Sequence, residues 1–405
     1  MAKVGVKIIW LHTHFKYWMG GTKYVYEVVK RLKDNFEIII VVEDASDLAK
    51  KYYTELGINL ICMKKLTSVS YLYWITLPIQ ILVDFIFLRT HLGKLPKLNS
   101  YTLVVSSMFP MNVVAAYLPF KHLQYCFEPF AFFHDPEFIK NFSPIKRFLV
   151  KAASIFWKWL DIYASKQSDR IVTLNHTTAK YIRKTYGVKA DMSFTGVDST
   201  HFKPFVGNRL RRKYKGNLIV AHSTDYTPVK GTDRMLKIFA KVYSQLPNSR
   251  LLITSTIINK ELETNLKQLA NKLGISNNVE FLGFVDYNVL PQIYSLAKVL
   301  VQCSYSERSG TTTMALPVKE AMACGTMAVR YPVENEDVED GVTGFLVDPR
   351  DTKKMVGKII EVLKMDQRSY NSSSQKARAY IVKKYSWENT ANIIKRNIES
   401  LIKKQ

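Results

Sequence analysis

Short apolar runs alternate with helical patterns along the chain, and this alternation restricts the possible folds more than any other feature. A strand followed by a helix and another strand predicts a parallel sheet with helices on both faces. The N-terminal half contains apolar runs of strand type and, after a glycine pair, a segment at residues 24–32 with helical spacing. The predicted strands are residues 4–10, 37–42, 60–63, 103–106 and 169–174.

The C-terminal half repeats the alternation, which predicts a second doubly wound domain. Its predicted strands are residues 218–222, 250–255, 279–281, 299–303 and 327–329. Its predicted helices are residues 232–245, 260–273, 289–297, 316–323 and 352–362. We place the linker at about 195–215 and expect two Rossmann-like domains facing a cleft at the carboxyl ends of their strands, where such folds bind ligands.

The predicted domains are an N-terminal Rossmann-like domain at residues 1–195 and a C-terminal Rossmann-like domain at residues 196–385. Residues 386–405 should form a helix, centred on 390–403, that packs back on the first domain. With 405 residues, of which 47% are hydrophobic, the chain is long enough to bury a core in each domain.

The charge of the chain bears on its partners. There are 58 Lys and Arg residues against 34 Asp and Glu, a formal net charge of +24, and such a charge attracts polyanions. An anionic membrane surface and phosphorylated small substrates both fit. The basic residues are dispersed and no nucleic-acid-binding signature accompanies them, so we predict no nucleic-acid partner.

The cysteines and the first residues favour a cytoplasmic protein. The four cysteines are far apart and have neither CxxC nor zinc-site spacing, which indicates reduced thiols. The first residues run directly into a strand pattern and do not resemble a signal peptide. We expect the protein in the cytoplasm, in part as a peripheral protein on the inner face of the membrane.

Two segments raise the question of membrane contact. Residues 71–88 are apolar over 18 positions except for Pro78, Gln80 and Asp84, a length at the lower limit for a membrane span. Three interpretations are open: a membrane span, a buried helix packed on a sheet, and a helix that touches a membrane without crossing it. We favour the buried helix. Residues 145–164 form a basic, aromatic helix that fits either a membrane surface or an ordinary domain face.

Three polar segments of the second domain lie where strands end or helices begin. Lys230 and Gly231 follow a strand and open a helix, where unpaired N–H groups and the helix dipole favour a diphosphate. Glu320 falls in a short helix that begins with a proline and ends near Gly325; it is either a ligand for two adjacent sugar hydroxyls or a capping residue. The third segment, residues 304–310, directly follows a predicted strand.

These segments resemble motifs of the retaining GT-B glycosyltransferases of family 4, which carry a glycosyl transferases group 1 domain. The resemblance covers most of the chain and is strongest over residues 194–348. The matching runs are Gly196-Val197-Asp198 with Phe202 and Pro204, Pro228-Val229-Lys230-Gly231, Phe281-Leu282-Gly283-Phe284-Val285, Glu320-Ala321-Met322-Ala323-Cys324-Gly325, and residues 340–347.

The resemblance implies sugar transfer from a nucleoside-diphosphate sugar to a hydroxyl acceptor, a lipid-linked or polysaccharide glycan, with retention and without a metal or cofactor. It implies that the first domain is the acceptor side, that the second binds the nucleotide sugar, and that residues of both domains contact the donor. The implied donor-binding residues are Gly20, Gly21, Lys230, Gly231, Gly283, Phe284, Val285, Ser304, Arg308, Thr312 and Glu320. The implied catalytic residues are Lys230, Glu307 and Glu128.

The chain departs from the family pattern at its charged positions. Asp225 stands where the family has an arginine five residues before the lysine, and Arg308 is a candidate substitute. The family's two glutamates are separated by seven residues, which would place the partner of Glu320 at Thr312. We prefer Glu307 as that partner, with a longer loop between the two, because loops tolerate insertion.

The first domain departs from the pattern as well. Phe127 occupies a position where many relatives have histidine, next to Glu128, which is either an acceptor-side base or a structural carboxylate. His12 and His14, at the end of the first strand, either touch substrate or, as is more common for a histidine at a strand end, are structural. The departures leave one alternative function open, a catalytically impaired GT-B relative that binds nucleotide or glycan as a scaffold.

Overall fold

The computed structural model describes residues 5–16, 20–63, 65–67, 70–92, 101–140, 142–255, 259–305, 316–332 and 337–403. These residues form two compact units. The first unit contains the chain up to Phe194 and the C-terminal residues from Glu388 onward, and the second runs from Thr195 to Trp387. Helix α9, Asn208–Lys213, occupies part of the predicted linker.

The described strands of the first unit form a seven-stranded sheet in the order β3-β2-β1-β4-β5-β6-β7, and every pair is parallel. Two strands, β1 and β4, lie side by side where the strand order reverses, which is the ligand-binding edge of such sheets. The strands are β1 Lys7–Phe15, β2 Glu37–Ala45, β3 Asn59–Cys62, β4 Thr102–Ser106, β5 Lys121–Tyr125, β6 Arg170–Thr173 and β7 Asp191–Met192.

Helices cover both faces of this sheet, and several begin at the side-chain caps that their sequences provide. Asn175 accepts a 2.7 Å hydrogen bond from the Thr178 backbone N–H at the start of α8, and Ser46 does the same for Ala49 in α2. The helices of the first unit are α1 Gly20–Leu32, α2 Asp47–Glu55, α3 Ser70–Leu92, α4 Met111–Ala116, α5 Ala131–His134, α6 Pro136–Lys140, α7 Pro144–Lys166, α8 His176–Tyr186 and α16 Trp387–Ile402.

The apolar segment at residues 71–88 lies in α3 and is buried along one side only. Leu77 and Leu88 face the core together with the two polar residues Gln80 and Asp84. The prediction of a helix is therefore correct, while the prediction of a buried one holds for only one of its sides. No helix in the described part of the chain is long and apolar enough to cross a bilayer.

The described strands of the second unit form a six-stranded parallel sheet in the order β10-β9-β8-β11-β12-β13, which repeats the order of the first. The two sheets confirm the predicted doubly wound α/β class. The strands are β8 Leu218–Thr224, β9 Ser249–Ser255, β10 Val279–Phe284, β11 Val299–Gln302, β12 Met327–Arg330 and β13 Gly344–Leu346.

One apolar cluster joins this second sheet to helices on its face. Phe239 and Met235 of the first helix after β8 are fully buried in it, as is Ile359 near the end of the domain. Burial of this kind anchors the helix that begins next to Lys230, and so sets the position of its N-terminus. The helices after α9 are α10 Thr232–Gln245, α11 Lys260–Lys272, α12 Leu290–Leu296, α13 Leu316–Ala323, α14 Thr352–Lys364 and α15 Gln367–Lys384.

The last helix, α16, is bonded to elements of the first unit. Arg31 of α1 donates to Glu388 at 2.8 Å, and Arg170 of β6 donates to Asn397 at 2.9 Å. The Thr390 hydroxyl donates to the Phe194 carbonyl at 2.6 Å. These contacts complete the first unit with a segment that follows the second in the sequence.

Candidate donor site at the carboxyl edge of the second sheet

Lys230 and Gly231 lie in the loop between β8 and α10. Residues Pro228–Lys230 form a single 3-10 turn, and Gly231 then opens α10 with a φ of +67°. A Cβ atom at Gly231 would stand 2.4 Å from the Cys303 carbonyl oxygen, so only glycine allows this approach to the end of β11. The Lys230 ammonium is half-buried and forms no ion pair with any residue that the structure describes. A cation and free helix N–H groups thus share one place, which suits a diphosphate.

A chain of hydrogen bonds holds the start of α10 against the sheet. The Tyr226 N–H donates to the Thr224 hydroxyl at 2.9 Å, and the Thr224 and Thr232 hydroxyls are 2.7 Å apart. Thr232 lies 3.1 Å from His222 Nε2, while His222 Nδ1 lies 2.8 Å from the Val301 carbonyl. Nδ1 therefore carries the ring proton and Nε2 accepts. Burial lowers the pKa of His222 to about 4. At neutral pH the ring is therefore uncharged, so Nδ1 remains the donor and Nε2 the acceptor.

Asp225 has a local structural role in the same loop. Its carboxylate accepts hydrogen bonds from the Thr227 N–H at 2.9 Å and from the Thr227 hydroxyl at 2.5 Å. This is an Asx turn, which shapes the loop that leads to Lys230. The intervening Tyr226 is buried with a φ of +62°, a conformation that costs a non-glycine residue about 1–3 kcal/mol. The loop thus holds a strained backbone where the family pattern has a second cation.

Arg234 brings a further cation to the first turn of α10. Its Nη1 donates to the Cys303 carbonyl at 2.6 Å, the same oxygen that Gly231 approaches. Lys230 ends the 3-10 turn before Gly231, and Arg234 lies in the first turn of α10 after it. The sequence analysis named Arg308 as the substitute cation, and Arg308 lies outside the described residues. Arg234 is a basic residue that the motif comparison missed.

Glu320 lies one turn into α13 and is 6% exposed. The same helix is anchored by Lys319, which is also buried, donates to the Thr195 hydroxyl at 2.6 Å and lies 4.6 Å from the centre of the Tyr385 ring. Arg378 donates to the Ala323 carbonyl at the other end of the helix. A short helix anchored at two places can hold the Glu320 carboxylate in one position, as recognition of vicinal hydroxyls requires.

Gly283, Phe284 and Val285 lie at the end of β10, where the pairing with β9 is irregular. The register shifts between Phe281 and Gly283, and Gly283 has a φ of +63°. A Cβ atom added at Gly283 would meet nothing within 4 Å. Phe284 is 63% exposed. The bulge therefore presents free space over the backbone beside an exposed ring, which is the kind of surface that a planar base can occupy.

The third predicted segment is described only at its beginning. Ser304 follows β11 and is buried, and the next residue, Tyr305, accepts a 2.6 Å hydrogen bond from Arg350 and stacks under its guanidinium at 4.0 Å. Glu307, Arg308 and Thr312 lie outside the described residues, so the choice between Glu307 and Thr312 stays a prediction. Arg350, in the segment after β13, was not predicted from the sequence.

In the first unit, Gly20 and Gly21 form the start of α1 at the carboxyl edge of the sheet. The Phe127 ring stands 3.7 Å from where a Gly21 Cβ would be, so an aromatic ring packs against the glycine pair. Phe127 also contacts the rings of His12, Tyr24 and Tyr125. The residue that replaces the family's histidine is thus part of an aromatic cluster in the first unit.

The remaining candidates of the first unit lie near this cluster or are occupied elsewhere. Glu128 is half-buried beside Cys126. Burial, with a smaller effect from His14, lowers the pKa of His12 to about 3, so His12 is neutral, and its Nδ1 has no hydrogen-bond partner among the described residues. His134, which was not among the candidates from the sequence, is bonded to Asp161 at 2.8 Å in the core, which indicates a structural role.

Two comparisons with known sequences agree with this geometry. Residues 209–399 match the family model described as glycosyl transferases group 1. Over 240 residues the chain is 28% identical to the D-inositol 3-phosphate glycosyltransferases of Mycobacterium marinum and Rhodococcus erythropolis. The matched stretch covers 56% of this chain but only 49% and 52% of those relatives, so the chain spans about half of their length.

The comparison with solved structures covers nearly the whole chain. The Anabaena protein HepE, in complex with UDP and glucose, superposes with a TM-score of 0.73 at 17% identity and covers 98% of this chain and 100% of its own. A sucrose-phosphate synthase from Thermosynechococcus elongatus gives a TM-score of 0.76 at 17% identity, with the same coverage. At such identities the likeness shows the fold. The chain has the GT-B fold, and its residues 209–399 are similar to the glycosyl transferases group 1 family.

Proposed function

We propose that this chain is a glycosyltransferase that moves a sugar from a nucleoside-diphosphate sugar to a hydroxyl group of a lipid-linked or polysaccharide glycan, with retention and without a metal. The observation that carries the proposal is Lys230. Its ammonium has no ion-pair partner among the described residues and stands at the N-terminus of a helix that His222 and Thr232 hold in place.

The chemistry of the proposed reaction fits that arrangement. The bond between the anomeric carbon and the diphosphate oxygen breaks, so negative charge accumulates on the leaving diphosphate. In this proposal Lys230 and the N–H groups at the start of α10 stabilise that charge, and donors that are held in place beforehand lower the barrier without reorganisation during the reaction. In this proposal Glu320 binds the ribose hydroxyls, and Gly283, Phe284 and Val285 receive the base.

Relatives support the same donor and acceptor classes. The family match concerns the unit that holds Lys230 and Glu320. A structural neighbour binds UDP-glucose, and the mycobacterial relatives are named for transfer to an inositol phosphate, a hydroxyl acceptor. In the first unit, Glu128 and the neutral His12 are the proposed acceptor-side groups, because both can accept a hydrogen bond from a hydroxyl.

The test is turnover on a panel of nucleoside-diphosphate sugars with hydroxyl acceptors, read as nucleoside diphosphate released and as anomeric configuration of the product. Lys230→Ala should reduce kcat/KM by about 100-fold or more, the usual effect of losing one preorganised donor. Lys237→Ala is the matched control, because Lys237 is exposed on the same helix and pairs with Asp233 at 3.7 Å. Activity should survive a chelator.

The outcomes separate the enzyme from the scaffold alternative. Turnover that is lost in Lys230→Ala and retained in Lys237→Ala supports the proposal. Nucleotide binding without turnover on any donor and acceptor supports a scaffold, and equal loss in both variants removes Lys230 from the mechanism.

A further inference from the structure

Between Ile79 and Leu88, helix α3 has its polar residues on the buried side. Gln80 and Asp84 are both 0% exposed, and Gln80 Nε2 donates to Asp84 Oδ1 at 2.8 Å. The Gln80 carbonyl oxygen accepts from the Leu66 backbone N–H at 2.8 Å. These two residues are the only polar interruptions of the sequence between Ile79 and Leu88; Gln80 bonds the helix to Leu66, and Asp84 bonds to Gln80. None of the polar groups is left to solubilise the outer side.

The outer side of α3 is consequently apolar. Ile75, Ile79, Leu82 and Ile86 are between 51% and 66% exposed. Their spacing of four, three and four residues places them in one row along the helix. A helix on a water-exposed surface normally shows the opposite arrangement, with the polar residues outside. This row therefore indicates contact with something other than water.

Helix α7 continues the same apolar character next to α3. Leu77 of α3 shares one core cluster with Trp157, Leu160 and Ala164 of α7, so the two helices are neighbours on the first unit. Beyond that shared core, α7 exposes large apolar side chains of its own. They are Ile145, Phe148, Leu149, Ile155, Phe156, Trp159 and Tyr163, at 39% to 81% exposure.

The exposed charged residues of α3 and α7 are all basic. Helix α7 carries exposed lysines at 146, 151, 158 and 166. The single acidic residue of α7, Asp161, is buried, and so is Asp84, the single acidic residue of α3. An exposed apolar row beside the exposed lysines of α7 matches the interface of an anionic bilayer, where lysines meet headgroups and aromatic residues lie at headgroup depth.

We propose that the outward residues of α3 and α7, here called the α3/α7 surface, dock the first unit on an anionic lipid surface with both helices lying in the interface. A second copy of this chain fits less well, because pairing two such surfaces would bring lysines against lysines. The proposal does not depend on the donor chemistry, since the surface belongs to the first unit and its binding needs no nucleotide sugar.

The test is flotation of the full-length protein with vesicles of phosphatidylcholine, with and without phosphatidylglycerol, in the absence of any donor. The apolar variant combines Phe148→Ser, Ile155→Ser and Trp159→Ser, and the charge variant combines Lys146→Glu, Lys151→Glu and Lys158→Glu. Each side chain replaced is exposed, so both variants should keep the wild-type thermal midpoint. The matched control, Arg209→Glu, Arg212→Glu and Lys215→Glu, changes the net charge equally on the second unit.

We expect the wild type and the control to bind phosphatidylglycerol vesicles, with binding that weakens in high salt, while either surface variant loses at least about tenfold in vesicle affinity. Three results would overturn the proposal: a wild type that ignores anionic vesicles, surface variants that still bind, or a control that loses as much as the charge variant. A wild-type dimer that the apolar variant abolishes, without vesicle binding, would assign the surface to a second copy instead.

Discussion

The contribution of the buried carboxyl pair Glu43 and Asp84 to the free energy of unfolding should fall as the pH rises. Glu43 lies near the end of β2, is 3% exposed and accepts a 3.0 Å hydrogen bond from the Tyr73 hydroxyl. Asp84 Oδ2, next to it, has no hydrogen-bond donor among the described residues. Burial, and then repulsion from Asp84, raise the pKa of Glu43 to about 8, although Lys65 nearby opposes the shift. A proton held between the two carboxyls satisfies both.

The direction and size of the effect follow from proton linkage. Between the ordinary pKa of 4.5 and the raised value of about 8, the folded protein keeps a proton that the unfolded chain releases, so stability falls as the pH rises and levels off above that window. Each pKa unit is worth about 1.4 kcal/mol. From about pH 5 to about pH 8 the loss approaches 4 kcal/mol, or roughly 10 °C in Tm for a unit of this size.

Thermal unfolding followed by fluorescence across that range measures the slope. Glu43→Gln cannot ionise, so it should unfold at a higher temperature than the wild type at mildly alkaline pH, and the difference between the two melting temperatures should grow as the pH rises from about 5 to about 8. Glu55→Gln is the matched control, because Glu55 is exposed and its profile should equal that of the wild type. The buried histidines, whose pKa values are lowered, contribute equally to all three proteins. If the wild type and Glu43→Gln have the same slope, no proton is held at the pair.

Three further predictions concern backbone and site geometry. Gly231→Ala should lower the free energy of unfolding by at least about 1–2 kcal/mol, from its left-handed φ alone, and should weaken nucleoside diphosphate binding in calorimetry because its Cβ meets the Cys303 carbonyl. Thr232→Val should leave the fold intact but weaken the same binding several-fold, because the hydrogen-bond chain to His222 is broken; unchanged affinity would show that the chain does not position α10. Gly357→Ala, in an exposed turn of α14 with open space, should stabilise by about 0.5–1 kcal/mol in denaturant unfolding.

Sequence patterns predicted most of both sheets, because parallel strands buried on both faces are continuous apolar runs. Strand β5 escaped because its sequence, KHLQY, is polar at three of five positions. Its buried polar residues have partners far away in the sequence: His122 lies 2.8 Å from the Ser106 hydroxyl, and Gln124 accepts from Ser168 at 3.1 Å. Such a strand becomes recognisable only when its hydrogen-bond partners are known.

The site shows the same limit. Sequence analysis found Lys230, Gly231 and Glu320 because each belongs to a local motif at a helix start. The structure places Lys230 and Gly231 between β8 and α10, and Glu320 in α13. His222 and Arg234 were missed because their roles depend on carbonyl groups at the end of β11, about 70–80 residues further along the chain. Sequence periodicity also could not predict which side of α3 faces the core, because nearly every position of this helix is apolar. The buried side became evident only from the hydrogen bonds of Gln80 and Asp84.

The path of the chain has a consequence for its synthesis. The first unit is left at Phe194 and is completed only by α16, after the whole second unit has been made. During synthesis on a ribosome the N-terminal sheet emerges early. Its residues Arg31, Arg170 and Phe194 can bond to α16 only after that last helix has been made. During that interval the second unit can fold on continuous chain while the first cannot close its surface. The half that is translated first is therefore the half that matures last, and a stop codon before Trp387 would damage the N-terminal unit, far from the cut in sequence.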